Sequence, residues 1–302
     1  MKKALIIGIN TYAPQKPLRG CLNDAEEMRA LTTEVFAYDD VLVLPEAGLT
    51  KQIIIDRLRD LLQSVPGEQD GARLFYFAGH GGRVFDVTEG GDEVDRIDEN
   101  ICLALYVSTK ASTYILDDEF AEILADAAAL APFLRTYIIL DSCHSGTATR
   151  ADTRTWLDVE ADLFATFNRP TTFNLRWLPD DPRLELLAVA RQADDPPELA
   201  ELLERSNAND ITLSNFGPKA TAEPTTHLLL SGCSAQQTCK DVPLDGSHHG
   251  IFTYTLTRLA RSNPALTWLE LRDAVHGLVQ DGFQQTPQLE GSLAMKTATI
   301  FQ

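Results

Sequence analysis

Along the first half of the chain, short apolar runs alternate with segments whose apolar residues recur at helical spacing. Strands joined in this way by crossover helices make a mainly parallel α/β sheet. Residues 3–9 read as a buried strand, and Asn23 or Asp24 is in position to cap a helix carrying Met28, Leu31 and Val35 on one face. Residues 41–44 form a second strand. Thr50 then caps a helix with Ile54, Leu58, Leu61 and Leu62 inward, ending near Pro66-Gly67, and residues 74–78 make a third strand that runs into Gly79-His80-Gly81-Gly82. From 83 to 100 the pattern gives way to an acidic run that predicts a loop. After a short apolar piece at 101–107, Asp117-Asp118 opens a helix through Phe120, Ile123 and Leu124. A fourth buried strand at 137–140 ends at Asp141-Ser142-Cys143-His144-Ser145-Gly146.

Residues 147–224 are rich in Asp, Pro, Thr and Arg and read as a long connector, with one helix at 197–205. Order returns with a strand at 227–231 and a helical stripe of Phe252, Leu256 and Leu259. Thr267-Trp268-Leu269-Glu270 is a capping box opening a helix through Val275 and Leu278, and residues 296–301 read as the last strand.

At 302 residues and 44% hydrophobic, the chain can bury a sizeable core. Its 26 basic against 44 acidic residues give a net charge of −18, which leaves no basic footprint for nucleic acid or an anionic membrane and favours a cationic partner. Five cysteines (Cys21, Cys102, Cys143, Cys233 and Cys239) form no C-x-x-C pair, which argues against a disulfide framework or a zinc cluster and fits a reducing compartment. The basic then apolar N-terminus has too short an apolar run and no small-residue cleavage site for a signal peptide. With no run near the roughly 18 residues of a membrane span, a soluble, cytoplasmic protein is expected.

In an open α/β sheet, ligands gather outside the carboxyl ends of strands, and two strand ends here carry reactive side chains: His80 and Cys143. A thiol needs a base or positive charge nearby to become a nucleophile, and a histidine on the neighbouring loop can supply it. Taken singly, a cysteine is usually a small buried hydrophobe and a histidine usually a satisfied polar group. Their shared setting in glycine-bearing turns after apolar strands favours catalysis, with the N–H groups of Gly81 and Cys143 free to form an oxyanion hole. His144, the rival base, leaves the turn in another direction and reads as structural. His248-His249 reads as a polar loop rather than a metal site.

These residues resemble the caspase-like cysteine peptidases, closest to the type I metacaspases and their bacterial relatives. The resemblance rests on Phe77-Ala78-Gly79-His80-Gly81-Gly82 paired with Asp141-Ser142-Cys143-His144-Ser145-Gly146. It extends through the opening Ala4-Leu5-Ile6-Ile7-Gly8-Ile9-Asn10 and Leu18-Arg19-Gly20-Cys21-Leu22-Asn23-Asp24-Ala25, through Ile97-Asp98-Glu99-Asn100-Ile101-Cys102 and Leu116-Asp117-Asp118-Glu119, and through Ser231-Gly232-Cys233-Ser234-Ala235-Gln236-Gln237-Thr238 and Thr286-Pro287-Gln288-Leu289. It covers roughly 1–150 and 225–302, and the nucleophile block departs from the Q-A-C-[RQG]-G of aspartate-cleaving caspases.

The resemblance implies a caspase-like three-layer sandwich: a large catalytic part at 1–146, a connector at 147–224 that is regulatory or self-cleaved, and a small part at 225–302 completing the sheet. It implies cleavage after Arg or Lys in a basic peptide or protein substrate, with Cys143 as nucleophile and His80 as general acid/base. The implied acidic S1 pocket matches Asp24 and Asp141, lined also by Cys21, and a serine common two residues before the family's histidine is Ala78 here. Calcium, needed by many metacaspases, is implied at Asp98, Asp117 and Asp118. Against it, the acidic residue the family places seven positions after its cysteine is Arg150 here, and only Asp152 lies close. Two other readings stay open: a catalytically silent caspase-like scaffold, and a latent effector triggered by a partner or small ligand held by 147–224.

Overall fold

The computed structural model describes residues 1–12, 17–85, 97–108, 110–143, 174–176, 227–234, 237–244 and 246–302. In chain order its elements are β1 (Lys2–Gly8), α1 (Cys21–Ala30), β2 (Asp40–Leu44), α2 (Lys51–Leu62), β3 (Gly71–Ala78), β4 (Gly81–Phe85), β5 (Ile97–Cys102), β6 (Tyr114–Leu116), α3 (Asp117–Leu130) and β7 (Leu134–Asp141). There follow β8 (Asn174–Leu175), β9 (His227–Ser231), β10 (Lys240–Leu244), β11 (Ser247–Gly250), α4 (Ile251–Ser262), α5 (Trp268–Phe283), β12 (Gln288–Glu290) and α6 (Leu293–Lys296).

Six strands make the central sheet in the order β12-β9-β7-β3-β1-β2, parallel except for β12. β1 to β2 steps one way along the sheet, while β2 to β3 and β3 to β7 step the other way. Right-handed crossovers therefore set α1 on one face and α2 with α3 on the opposite face. α4 packs against α1 and α5, which completes the three layers. Strands β1, β3 and β7 lie inside the sheet and carry apolar runs over Ala4–Ile7, Leu74–Ala78 and Tyr137–Leu140, and β3 is buried at every position. Thr50 caps α2 as expected, accepting from the amide of Ile53 at 3.3 Å, and Thr267 and Glu270 form the predicted capping box of α5. No helix among the described residues is long and apolar enough to cross a membrane.

Several expectations are corrected. The predicted loop at 83–100 has strands at both described ends: β4 and β5 pair antiparallel, with Arg83 directly opposite Glu99. Opposite charges facing one another across a ladder stabilise it, and a pattern based on apolar periodicity cannot see that pairing. Neither Asn23 nor Asp24 caps α1, which begins at Cys21 after Gly20 and leaves Asp24 buried in the first helical turn. His248 and His249 lie not in a loop but in β11, the return arm of a hairpin with β10. The chain closes its sheet with β12, whereas residues 296–301 contain the end of α6 and a single bridge from Thr299 to Thr267. The helix expected at 197–205, and His144, Arg150 and Asp152, lie outside the described residues.

Candidate active site

Parallel pairing of β3 with β7 ends at Ala78 opposite Asp141, so the turns bearing His80 and Cys143 leave the sheet side by side. The Gly79 amide donates to the Asp141 carbonyl at 3.3 Å and ties the two turns together. A Cβ built on Gly81 would lie 1.5 Å from the Cys143 carbonyl oxygen, so only glycine fits where β4 begins. His80 is buried: its amide donates to the Tyr12 hydroxyl at 2.8 Å, and the Tyr12 ring meets the imidazole edge-on with centroids 4.4 Å apart.

Cys143 is fully buried beside Cys233 and Cys239. Burial opposes ionisation of its sulfur. Hydrogen bonds from the Cys233 and Cys239 thiols, the Cys239 amide at 2.8 Å and the charge of His80 outweigh that cost, and hold the thiol well below its usual pKa. The thiols of Cys233 and Cys239 move the opposite way, the first chiefly through its hydrogen bond to Cys143 and the second chiefly through burial. The cluster therefore favours one thiolate, on Cys143.

The site is occupied by the chain itself. The two-residue strand β8 pairs antiparallel with β10, Leu175 opposite Lys240 and Asn174 opposite Asp241. Arg176 follows, its amide donating to the Cys239 carbonyl at 3.0 Å. The Arg176 carbonyl accepts the amides of Gly81 at 3.1 Å and of Cys143 at 3.3 Å, the two groups expected to form the oxyanion hole.

Its guanidinium lies in an anionic pit. Nη2 pairs with Asp24 Oδ2 and lies 3.6 Å from Asp241 Oδ1, while Nη1 meets Asp141 Oδ2 at 3.1 Å. The acids are themselves fixed. Asp24 accepts from the Gly250 amide at 2.8 Å and contacts His249 Nδ1 at 3.1 Å; Asp141 accepts the Thr253 hydroxyl at 2.6 Å; Asp241 accepts the Arg19 amide at 2.8 Å. Burial raises the Asp141 pKa to about 6 even though Arg176 pulls it down. Cys21 is also buried here, its thiol pushed up chiefly by burial, with Arg176 and the three acids acting on it. Gly250 gives the guanidinium its room: a Cβ there would come 2.6 Å from Arg176 Nη2.

Of the residues expected from sequence, His80, Gly81, Cys143, Asp24, Asp141 and Cys21 converge on this site. Asp241 and His249 were not anticipated. Asp241 follows the Ser231–Thr238 block by only a few residues, and it is the β10 pairing that carries it into the pocket. Asp117 and Asp118 stand apart from the pit, at the start of α3, and Asp117 is buried. The side chain of Asp98 lies outside the described residues. Ala78 is fully buried, so no hydroxyl enters the pocket from that position.

The model of the Caspase domain family matches residues 1–298. Among curated proteins, Metacaspase-1 of Schizosaccharomyces pombe is 26% identical over 312 residues, covering 96% of this chain and 67% of that protein. Metacaspase-1 of Botryotinia fuckeliana is 27% identical over 312 residues, covering 99% of this chain and 70% of that protein. A crystal structure of a Geobacter sulfurreducens protein shares the fold, with a TM-score of 0.61 at 23% identity over 99% of this chain and 98% of the other.

Proposed function

Since the chain belongs to the caspase-domain family of cysteine peptidases, we propose that it is an endopeptidase that cuts after arginine, and less well after lysine, and that the bond from Arg176 to Trp177 is its own first substrate. The seat of Arg176 carries this reading. A peptide bound in the same way adds a strand to β10, sends its P1 side chain between Asp24, Asp141 and Asp241, and lays its carbonyl oxygen on the Gly81 and Cys143 amides. One planar guanidinium can face several carboxylates at once, whereas a lysine ammonium meets them as a point charge and a P1 aspartate would add a further negative charge.

In the reaction, the Cys143 thiolate attacks the carbonyl carbon that follows the P1 side chain. The two amides take up the charge that develops on oxygen, His80 protonates the departing amine, and water hydrolyses the thioester. Because Arg176 fills the pocket, the chain is latent until that segment is cut or displaced. This favours the latent-effector reading over a silent scaffold, which would have no use for a cationic plug seated on a lowered-pKa thiol.

Calcium enters the proposal as an activator outside the chemistry. Asp117 and Asp118 open α3 directly after β6, with Asp117 buried, and β6 pairs with β5, the strand that carries Asp98. An all-oxygen donor set of this kind suits a hard cation taking about six to eight oxygens, the balance coming from main-chain carbonyls or water. The decisive assay is a panel of peptides differing only at P1, read by mass spectrometry. Cleavage after Arg by the unaltered chain once it has been cut after Arg176, lost in both Cys143→Ala and His80→Ala with circular dichroism unchanged, is expected; cleavage by either variant, or none by the cut protein, defeats the reading.

A further inference from the structure

The peptidase chemistry needs one sulfur, yet three are gathered at the site. The Sγ atoms of Cys143, Cys233 and Cys239 lie within 4.8 Å of one another and are shielded from solvent, with those of Cys233 and Cys239 3.0 Å apart. The Cys239 main chain accepts the Arg176 amide and donates to the Cys143 sulfur, and its thiol adds a hydrogen bond to that sulfur, which places it directly against the one thiol held in its ionised form. A disulfide closes at about 2.05 Å between sulfurs. Atoms that start within 4.8 Å, on turns after β7 and before β10, reach it by small side-chain rotations.

We propose that a hydroperoxide switches this protein off reversibly by linking Cys143 to Cys239. The Cys143 thiolate attacks the peroxide oxygen; an S–O bond forms, the O–O bond breaks, and the departing oxygen leaves as water or an alcohol, giving a sulfenic acid. The Cys239 sulfur then attacks the Cys143 sulfur. The S–S bond forms as the S–O bond breaks, and the hydroxide leaves with the Cys239 proton as water. Two thiols are oxidised and one hydroperoxide is reduced. The chain gains a resolving cysteine that intercepts the nucleophile before further, irreversible oxidation. Cys233, in contact with Cys239, is the partner through which a reductant or thiol exchange reopens the bond.

The inference rests on Cys143 being the reactive sulfur, but its main readout is mass, which does not depend on peptidase activity. The full chain is treated with hydrogen peroxide, its remaining thiols are alkylated, and the product is mapped without reduction. The expected product has lost about 2 Da, carries a Cys143–Cys239 disulfide, and has lost more than about ten-fold in activity, recovered with dithiothreitol. In Cys239→Ser, measured against its own untreated rate, Cys143 should instead gain about 32 Da as sulfinic acid and stay inactive after dithiothreitol. A Cys143 that over-oxidises equally in the unaltered chain, a disulfide joining only Cys233 and Cys239, or no oxidation at Cys143 would each overturn the proposal. An unaltered chain that forms the disulfide but never cleaves peptide would preserve the switch chemistry and discard the peptidase reading.

Discussion

Arg176 grips Asp141 twice with one nitrogen: Nη1 lies 3.1 Å from the carboxylate and 3.0 Å from the main-chain carbonyl of the same residue. Asp141 thus presents a side-chain and a main-chain oxygen to one guanidinium, two residues before Cys143. For a peptide with Arg at P1, Asp141→Ala should lower kcat/KM on the order of 10²-fold, the scale of losing one partner of a buried charge pair. Alkylation of Cys143 by iodoacetamide, which has no use for the pocket, should change far less. Equal losses in both measurements would mean that the substitution has damaged the thiol and not the pocket.

The connector should be cut at one place above others. Arg176 already has the contacts of a bound P1 residue, its carbonyl on the Gly81 and Cys143 amides and its guanidinium among Asp24, Asp141 and Asp241. Incubation of the purified chain should yield fragments ending at Arg176 and starting at Trp177, and none from Cys143→Ala. Arg176→Gln should suppress that cut while leaving cleavage of added Arg peptides intact. Terminal sequencing decides it, and first cleavage elsewhere in the Arg176→Gln and unaltered chains alike would show that the seated arginine is a plug only.

Acid should weaken the enzyme through its pocket. With Arg176 bound, Asp141 titrates at about 6, and the guanidinium is one of the influences lowering that value. As pH falls through about 6, Asp141 becomes neutral and the P1 arginine loses a partner, so kcat/KM for an Arg peptide should fall over that interval. Alkylation of the low-pKa thiol should stay level over the same interval. A thiol rate that falls with the same midpoint would assign the limb to Cys143.

Calcium should raise the rate of peptide cleavage, and an Asp117→Asn, Asp118→Asn double substitution should remove the response without removing basal cleavage. Titration in chelator-treated buffer, read by cleavage rate, checks this. Full activity in excess chelator would leave Asp117 and Asp118 as the acidic first turn of α3, stabilised by its dipole.

The parallel sheet, the capped helices and the two reactive turns were legible because each is local: apolar runs, Thr50 and Thr267 caps, and glycines beside His80 and Cys143. Asp24 and Asp141 were legible only through resemblance. In isolation, Asp24 looked like a helix cap, and it proved to be a buried acid held by Gly250 and His249 from more than 200 residues away. Asp241 and the seat of Arg176 were hidden for a related reason. They depend on β8 and β10, short strands whose pairing partner is distant and whose residues include Lys240, Asp241 and Pro243. Nothing in apolar periodicity marks such a strand, and the Arg83–Glu99 hairpin was hidden in the same way.

The pairing of β7 with β9 fixes what a cut in the connector can do. Five residues from each strand, Thr136 to Leu140 and His227 to Ser231, lie in register within the sheet, with β12 added on the far side of β9. A break after Arg176 severs the covalent path between them and leaves that ladder whole. The nicked molecule should run as two pieces on a denaturing gel and as one particle in gel filtration, with Asp24 and Asp141 from the first piece still facing Asp241 from the second. Peptide-bond cleavage would then act on this chain as release of a tether, giving the Arg176 end freedom to leave while the walls around it stay put.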